Sequence, residues 1–286
     1  MKINKYLVDP DSKFKLKSVH PNDTDDFNSK DETNELLIKN IEIMAAMQAK
    51  LYAQDKYSLL IIFQAMDTAG KDGAIKHVMS GLNPQATHVH SFKQPSAEEL
   101  DHDYLWRASV NLPERGKIGI FNRSYYEEVL VVKVHDLVKN GQIPDEFITD
   151  DIWKNRYRQI RDYEKYLTEN GTVILKFFLH LSKEEQKVRF LQRINDETKN
   201  WKFSASDLAE RQYWNEYQDC YEDAINETST KYAPWYVIPA DKKWFTRLMI
   251  SEVIVQKLKE LDLQFPILTA EKTSLLADYK RKLEDE

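Results

Sequence analysis

Directly after an apolar run lies Ala65-Met66-Asp67-Thr68-Ala69-Gly70-Lys71-Asp72-Gly73, followed by Ala74 to Met79, which reads as a helix. A strand, a loop with glycines and a lysine, and then a helix suit an anion. The first-turn N–H groups of a helix lack internal partners and point, with the helix dipole, at a negative group placed there. Thr68, Ala69, Gly70, Lys71, Asp72 and Gly73 are therefore candidate phosphate-binding residues, with Lys71 adding a full charge. Against the template G-x-x-x-x-G-K-[ST] the match is partial, because Ala65 stands at the first glycine and Asp72 at the final hydroxyl residue. Losing that hydroxyl removes the usual magnesium ligand, and Asp67 inside the loop is the candidate to replace it. By itself the segment also fits an ordinary glycine-containing turn with Lys71 as a solvated charge.

A second constellation closes the third predicted strand: Asn122-Arg123-Ser124-Tyr125-Tyr126-Glu127-Glu128. Ligands of open α/β sheets bind at the carboxyl ends of strands, so Asn122 and Arg123 should face the same crevice as the loop. Asn122 occupies the place where phosphate-loop enzymes carry a metal-binding aspartate, and as an amide it offers a neutral oxygen to a metal. Arg123 has the geometry for a bidentate phosphate clamp. Equally, Asn122 could cap a helix beginning near Ser124, with Arg123 on the surface. A third cluster places Arg189 and Arg193 four residues apart on one helix face, which suits a row of phosphates. Asp196 and Glu197 nearby would equally pair with them on a solvated helix.

Other chemistries find little support. The seven histidines, His20, His77, His88, His90, His102, His135 and His180, have no metal-ligand spacing. The single cysteine, Cys220, excludes an intramolecular disulfide and fits a reducing, cytoplasmic address. No apolar run approaches the ~20 residues that span a bilayer. A formal net charge of −6 argues against a generally basic nucleic-acid binder, although an acidic surface can still surround a basic groove.

The elements that must position these residues follow from periodicity. Five apolar runs, at 59–63, 87–92, 118–121, 173–178 and 235–238, alternate with helical stretches, which predicts an α/β fold with a five-stranded parallel sheet flanked by helices. Apolar residues at helical spacing from Glu35 to Leu51 predict a packed amphipathic helix. Ser96 with Glu99, and Ser182 with Glu185, have capping-box spacing. No linker or repeat divides the 286 residues, so a single domain is expected. Residues 1–33 read as an irregular arm, 34–265 as the body with a helical lid at about 183–230, and 266–286 as a C-terminal segment packed on the same domain.

Taken in order, the loop at 64–73, His77 to Gln85, Ser91-Phe92-Lys93, Phe121 to Tyr126, Glu210 to Trp214 and Ala233 to Lys243 resemble the polyphosphate kinase 2 family over roughly residues 35–261. With Asn122, the stretch Tyr125-Tyr126-Glu127-Glu128 is similar to its short single-domain subgroup, class III, which acts on nucleoside mono- and diphosphates. The resemblance implies a three-layer P-loop kinase fold with a helical lid, homo-oligomers, and reversible transfer of a phosphoryl group from inorganic polyphosphate to ADP or AMP. It implies magnesium, with manganese as an alternative, at Asp67 and Asn122. It implies Asp67, Lys71 and Arg123 as catalytic residues, and polyphosphate held by Arg189 and Arg193 from the lid, with Lys76 and Lys93 in the channel. Asn122, Glu127 and Glu128 are implied on the nucleotide side. An ATP-dependent nucleotide or nucleoside kinase, and a catalytically silent anion-binding module, use the same loop and stay open at this point.

Overall fold

The computed structural model describes residues 3–140 and 143–286; Met1 and Lys2 of the expected arm lie outside the described residues. Runs that are apolar at successive positions can only be covered on both faces, and here they pair into one parallel sheet. Its strands are β1 (Ser58–Ala65), β2 (Thr87–Ser91), β3 (Ile118–Asn122), β4 (Thr172–His180) and β5 (Trp235–Pro239), in spatial order β2-β3-β1-β4-β5. Central β1 is buried at every position, with Phe63 opposite Asn122 on one side and Phe177 on the other. The chain leaves β1 toward β2 on one side and returns from β3 across β1 to β4 on the other, so a crevice opens at the carboxyl end of β1.

The helices are α1 (Lys30–Gln54), α2 (Lys71–Val78), the single-turn α3 (Ala97–Leu100), α4 (Trp106–Ser109) and α5 (Val131–Val134), then α6 (Ile152–Glu169), α7 (Lys183–Asn195), α8 (Ala205–Glu210), α9 (Trp214–Thr228), α10 (Lys243–Glu260) and α11 (Ala270–Glu284). Two groups flank the sheet: α1 and α2 pack on α10, and α6 packs on α9 and β4. The first group is tied by the Asn40 amide, which donates to Ser251 Oγ at 2.9 Å and to Glu252 at 2.8 Å.

Several boundaries differ from expectation for identifiable reasons. Ser29 caps α1 by accepting the Glu32 N–H, so residues 30–33 are helical and belong to α1 instead of the arm. The arm itself is not loose: Val8 N–H donates to Trp235 O at 2.9 Å and Val237 N–H to Tyr6 O at 2.8 Å. It thereby covers the open edge of β5, whose backbone groups would otherwise be unpaired. Ser96 and Glu99 form both halves of a capping box. Ser182 accepts from the Glu185 N–H, but its own N–H goes to Asp241 Oδ1, and the Glu185 carboxylate pairs with Arg189 instead.

Two expectations about larger segments also change. Within 183–230, α8 buries none of its residues, whereas α9 places Trp214, Tyr217, Cys220, Tyr221, Ala224 and Ile225 in the core. In the segment after residue 265, expected to pack on the domain, α11 buries none of its residues. Its apolar residues Leu275, Leu276, Tyr279 and Leu283 are exposed, and its ion pairs, such as Arg281 with Asp278, run along the helix itself.

Candidate active site

The loop between β1 and α2 is shaped by backbone conformation as much as by charge. Gly70, which precedes α2, has φ +104°, a left-handed conformation that glycine adopts without steric cost. Thr68 has φ +65° and Arg123, at the tip of β3, has φ +64°. A β-branched residue there is a conformational outlier, and each such position costs on the order of 1–3 kcal/mol unless its surroundings fix it. Arg123 reaches the loop through Asp67, the residue before Thr68: its Nη2 meets Asp67 Oδ1 at 2.9 Å.

Around this pair lies a cavity of about 520 Å³. The loop residues Asp67, Thr68, Ala69, Gly70, Lys71, Asp72 and Gly73 all line it, as do Asn122, Arg123, Arg189 and Arg193. The positions singled out separately along the chain are thus neighbours in space. Lys71 is buried, with its amine donating to Ala65 O at 2.9 Å. Burial, and then the adjacent Arg123, push the Lys71 amine down, against the pull of Asp67, Glu127 and Asp72. For Arg123 burial would lower the guanidinium, yet the Glu127 and Asp67 carboxylates outweigh it and hold it raised. The Asn122 amide donates to Asp72 Oδ1 at 2.8 Å, while its own buried oxygen has no hydrogen-bond partner, and neither has the Thr68 hydroxyl.

Arg189 does something the sequence did not indicate. It is only 4% exposed. Its Nε donates to Glu185, Nη1 to the carbonyls of Thr68 and Ala69, and Nη2 to those of Ala240 and Asp241. All five donors of the guanidinium are engaged, so the side chain staples the phosphate loop to the exit of β5 and is not a free lid arm. One turn earlier, Gln186 supports the same loop by donating to Asp67 O at 3.1 Å. Arg193 pairs with Asp207 of α8 at 3.4 Å, and burial followed by the nearby Asp67 raises the Asp207 carboxyl.

The remaining expected residues lie elsewhere. Lys76 and Lys93 are exposed and outside the cavity lining. Glu127 sits beside the site, close enough for its charge to act on Lys71 and Arg123, and accepts from Gln64 at 2.9 Å. Glu128 pairs with the buried Arg156 at 2.6 Å and is not among the residues lining the cavity. Asn122 is not the cap of the following turn; Ser124 takes that role, accepting from Tyr126 N–H.

Sequence reasoning missed three cations in the lining: Lys199, Lys243 and Arg247. Lys243 and Arg247 are four apart in the first turns of α10, and burial lowers both, with Arg189 adding to the effect on Lys243. A basic pair at helical spacing just past the carboxyl end of a strand was the signal that could have found them. With Lys71, Arg123, Arg189 and Arg193 they make seven basic side chains around the cavity, against the carboxylates of Asp67 and Asp72. In a chain of net charge −6, such a concentration marks a site for an extended polyanion.

Comparison with known proteins points the same way. Residues 27–266 match the family model described as polyphosphate kinase 2. The chain is 51% identical to an ADP-polyphosphate phosphotransferase of Rhodopseudomonas palustris, over 90% of each chain. It is 44% identical to an AMP/ADP-polyphosphate phosphotransferase of Meiothermus ruber, over 92% of this chain and 96% of that one. Among solved structures, polyphosphate kinase 2 from Arthrobacter aurescens superposes with a TM-score of 0.85 at 38% identity, covering 96% of this chain and 95% of that one.

Proposed function

The chain belongs to the polyphosphate kinase 2 family, and from that premise we propose that its cavity moves a phosphoryl group from inorganic polyphosphate to ADP and to AMP, reversibly. The observation that carries this reading is the row of basic side chains leading from the phosphate loop to Arg193, Lys199, Lys243 and Arg247. Lysines acting as point charges and arginines offering planar forks together suit a polymer of phosphates.

In the forward direction an oxygen of the acceptor's terminal phosphate bonds to the terminal phosphorus of polyphosphate. The bridging P–O bond breaks, and the polymer leaves one unit shorter. No nucleophilic side chain is needed, because phosphoryl transfer depends on in-line positioning and on neutralising charge at the equatorial oxygens. The amides at the start of α2 and the Lys71 amine cradle the phosphates. Arg123, aimed by Asp67 at 2.9 Å, meets the transferring group. Arg193 engages phosphate from the lid, formed by α7 and α8, while Arg189 holds the loop in shape. Glu127, beside Arg123, lies on the acceptor side.

A divalent cation fits the donors present: the Asp67 and Asp72 carboxylates and the unpartnered buried oxygen of Asn122 are hard oxygens. Magnesium suits so few protein donors, since it keeps waters and borrows phosphate oxygens. When bound, magnesium or manganese supplies charge neutralisation at those oxygens. Homo-oligomer assembly and a cytoplasmic address belong to the same proposal; among the described residues no helix is long and apolar enough to cross a membrane.

The test is nucleotide formation by purified protein with magnesium and polyphosphate, offering ADP and AMP separately and omitting each component in turn. ATP from ADP, and ADP then ATP from AMP, both dependent on polyphosphate, are expected. Product from ADP alone would remove AMP from the proposal. Phosphorylation of AMP that requires ATP, with polyphosphate inert, would replace it with an ATP-dependent kinase.

A further inference from the structure

Away from the phosphates, on the α6 side of the sheet, sits a polar cluster that no step of the transfer uses. Lys176 in the middle of β4 and Glu164 on α6 are both fully buried and pair at 2.6 Å. Replacing such a pair by apolar residues is often neutral or stabilising, so stability alone does not account for it. Its partners are informative. Glu164 Oε1 accepts from the hydroxyls of Tyr125 at 2.9 Å and Tyr126 at 2.8 Å. Lys176 donates to the Tyr126 hydroxyl at 2.9 Å and to Thr228 O, at the end of α9, at 2.8 Å.

Tyr125 and Tyr126 lie two and three residues after Arg123, whose φ of +64° is unfavourable for any residue but glycine. A strained conformation of this kind persists only where the surroundings over-determine it. On its N-terminal side Arg123 is held by the sheet, its N–H donating to Phe63 O at 3.0 Å. On its C-terminal side the restraint is Ser124, which accepts from Tyr126 N–H at 3.1 Å, and then the two tyrosines anchored on Glu164. We infer that Glu164 and Lys176, acting through Tyr125 and Tyr126, are positioning residues that hold Arg123 aimed at the transferring phosphoryl group. This rests on the role proposed above for Arg123.

The test is a double substitution, Tyr125→Phe with Tyr126→Phe, which removes only two hydroxyls and leaves the ion pair intact. For the polyphosphate-dependent reaction kcat should fall on the order of ten- to a hundredfold, the scale of a misaimed catalytic group, with KM for ADP within about twofold. In an Arg123→Ala background the same double substitution should cost little more, because the group it positions is gone. A folded variant with a lowered Tm but unchanged kcat would overturn the inference, and so would an equal further loss in the Arg123→Ala background. If the double variant does not fold, Tyr125→Phe alone is read by the same two criteria. A wild-type enzyme without polyphosphate-dependent activity would sink the proposed function and this inference together, whereas the variant outcomes reach only the inference.

Discussion

Replacing Arg189 separates two pictures of the lid. In the structure its guanidinium, 4% exposed, donates to four backbone carbonyls, those of Thr68, Ala69, Ala240 and Asp241. Arg189→Ala strips this partner from all four; the bonds to Ala69 and Ala240 are buried, and a buried acceptor left unpaired costs about 1–3 kcal/mol. Water entering the space left by the side chain repays part of this, so a net loss of about 4 kcal/mol is expected, similar to breaking other buried charged networks. For a chain of this size each kcal/mol moves Tm by roughly 2–4 °C, which places the variant about 8–16 °C below the wild type. Arg189→Lys keeps the charge but has three donors on a point instead of five in a planar fork, so it should recover less than half of the loss. Both variants should also lose kcat, since the loop they release carries Asp67 and Lys71. Thermal unfolding followed by circular dichroism, together with steady-state rates at saturating ADP and polyphosphate, tests this. If Arg189 served mainly as a mobile arm for polyphosphate, Tm would stay at the wild-type value, KM for polyphosphate alone would rise, and Arg189→Lys would behave nearly as wild type; that result would refute the reasoning.

Other consequences follow from the same geometry. Asp67→Ala and Arg123→Ala should each lower kcat by roughly 10²-fold, the scale for losing a preorganised electrostatic contact, in proteins that still unfold cooperatively; near-wild-type turnover would remove them from the site. Lys243→Ala with Arg247→Ala should raise KM for polyphosphate more than for ADP, and the difference should shrink as salt is raised because the partner is a polyanion; equal effects on both substrates would contradict a polyphosphate-side role. His180 is pushed down to about 4 by burial, so it is neutral in the folded protein and protonates more readily when unfolded. Its contribution is complete above about pH 6.5 and is lost as pH falls toward about 4, up to about 3 kcal/mol in all. His180→Gln should flatten the stability profile in that window, and an unchanged acid limb in denaturant titrations would show that His180 does not shape it.

The sheet was legible because its strands are runs such as Leu59 to Phe63, whose composition admits only a doubly covered strand, and because turns and helices separate them. The phosphate loop was legible for a similar reason: backbone amides, glycines and Lys71 act through local geometry, and local geometry is written in consecutive residues. What escaped depends on long-range partners. That Arg189 would be spent on carbonyls at Ala240 and Asp241 cannot be seen at position 189, where a solvated arginine and a buried staple look alike. Glu128 and Glu127 are adjacent in sequence, yet one is taken by the buried Arg156 and the other by Gln64, partners that position 127 or 128 does not reveal. Lys243 and Arg247 left a local signal in their spacing, but what gives it meaning is where α10 starts relative to β5. For the C-terminal segment, nothing in its consecutive residues says whether a partner covers it, and α11 buries none of its residues.

The central claim is that the phosphoryl group comes from polyphosphate through the cavity bounded by Asp67, Lys71 and Arg123. Polyphosphate labelled with ³²P, incubated with ADP, magnesium and purified protein, tests it directly when the products are separated and the position of the label in the nucleotide is determined. Label at the γ-phosphate of ATP with the wild type, and initial rates about 10²-fold lower with Arg123→Ala, is the predicted result. Unlabelled ATP, or the same labelling rate from both proteins, would contradict the account.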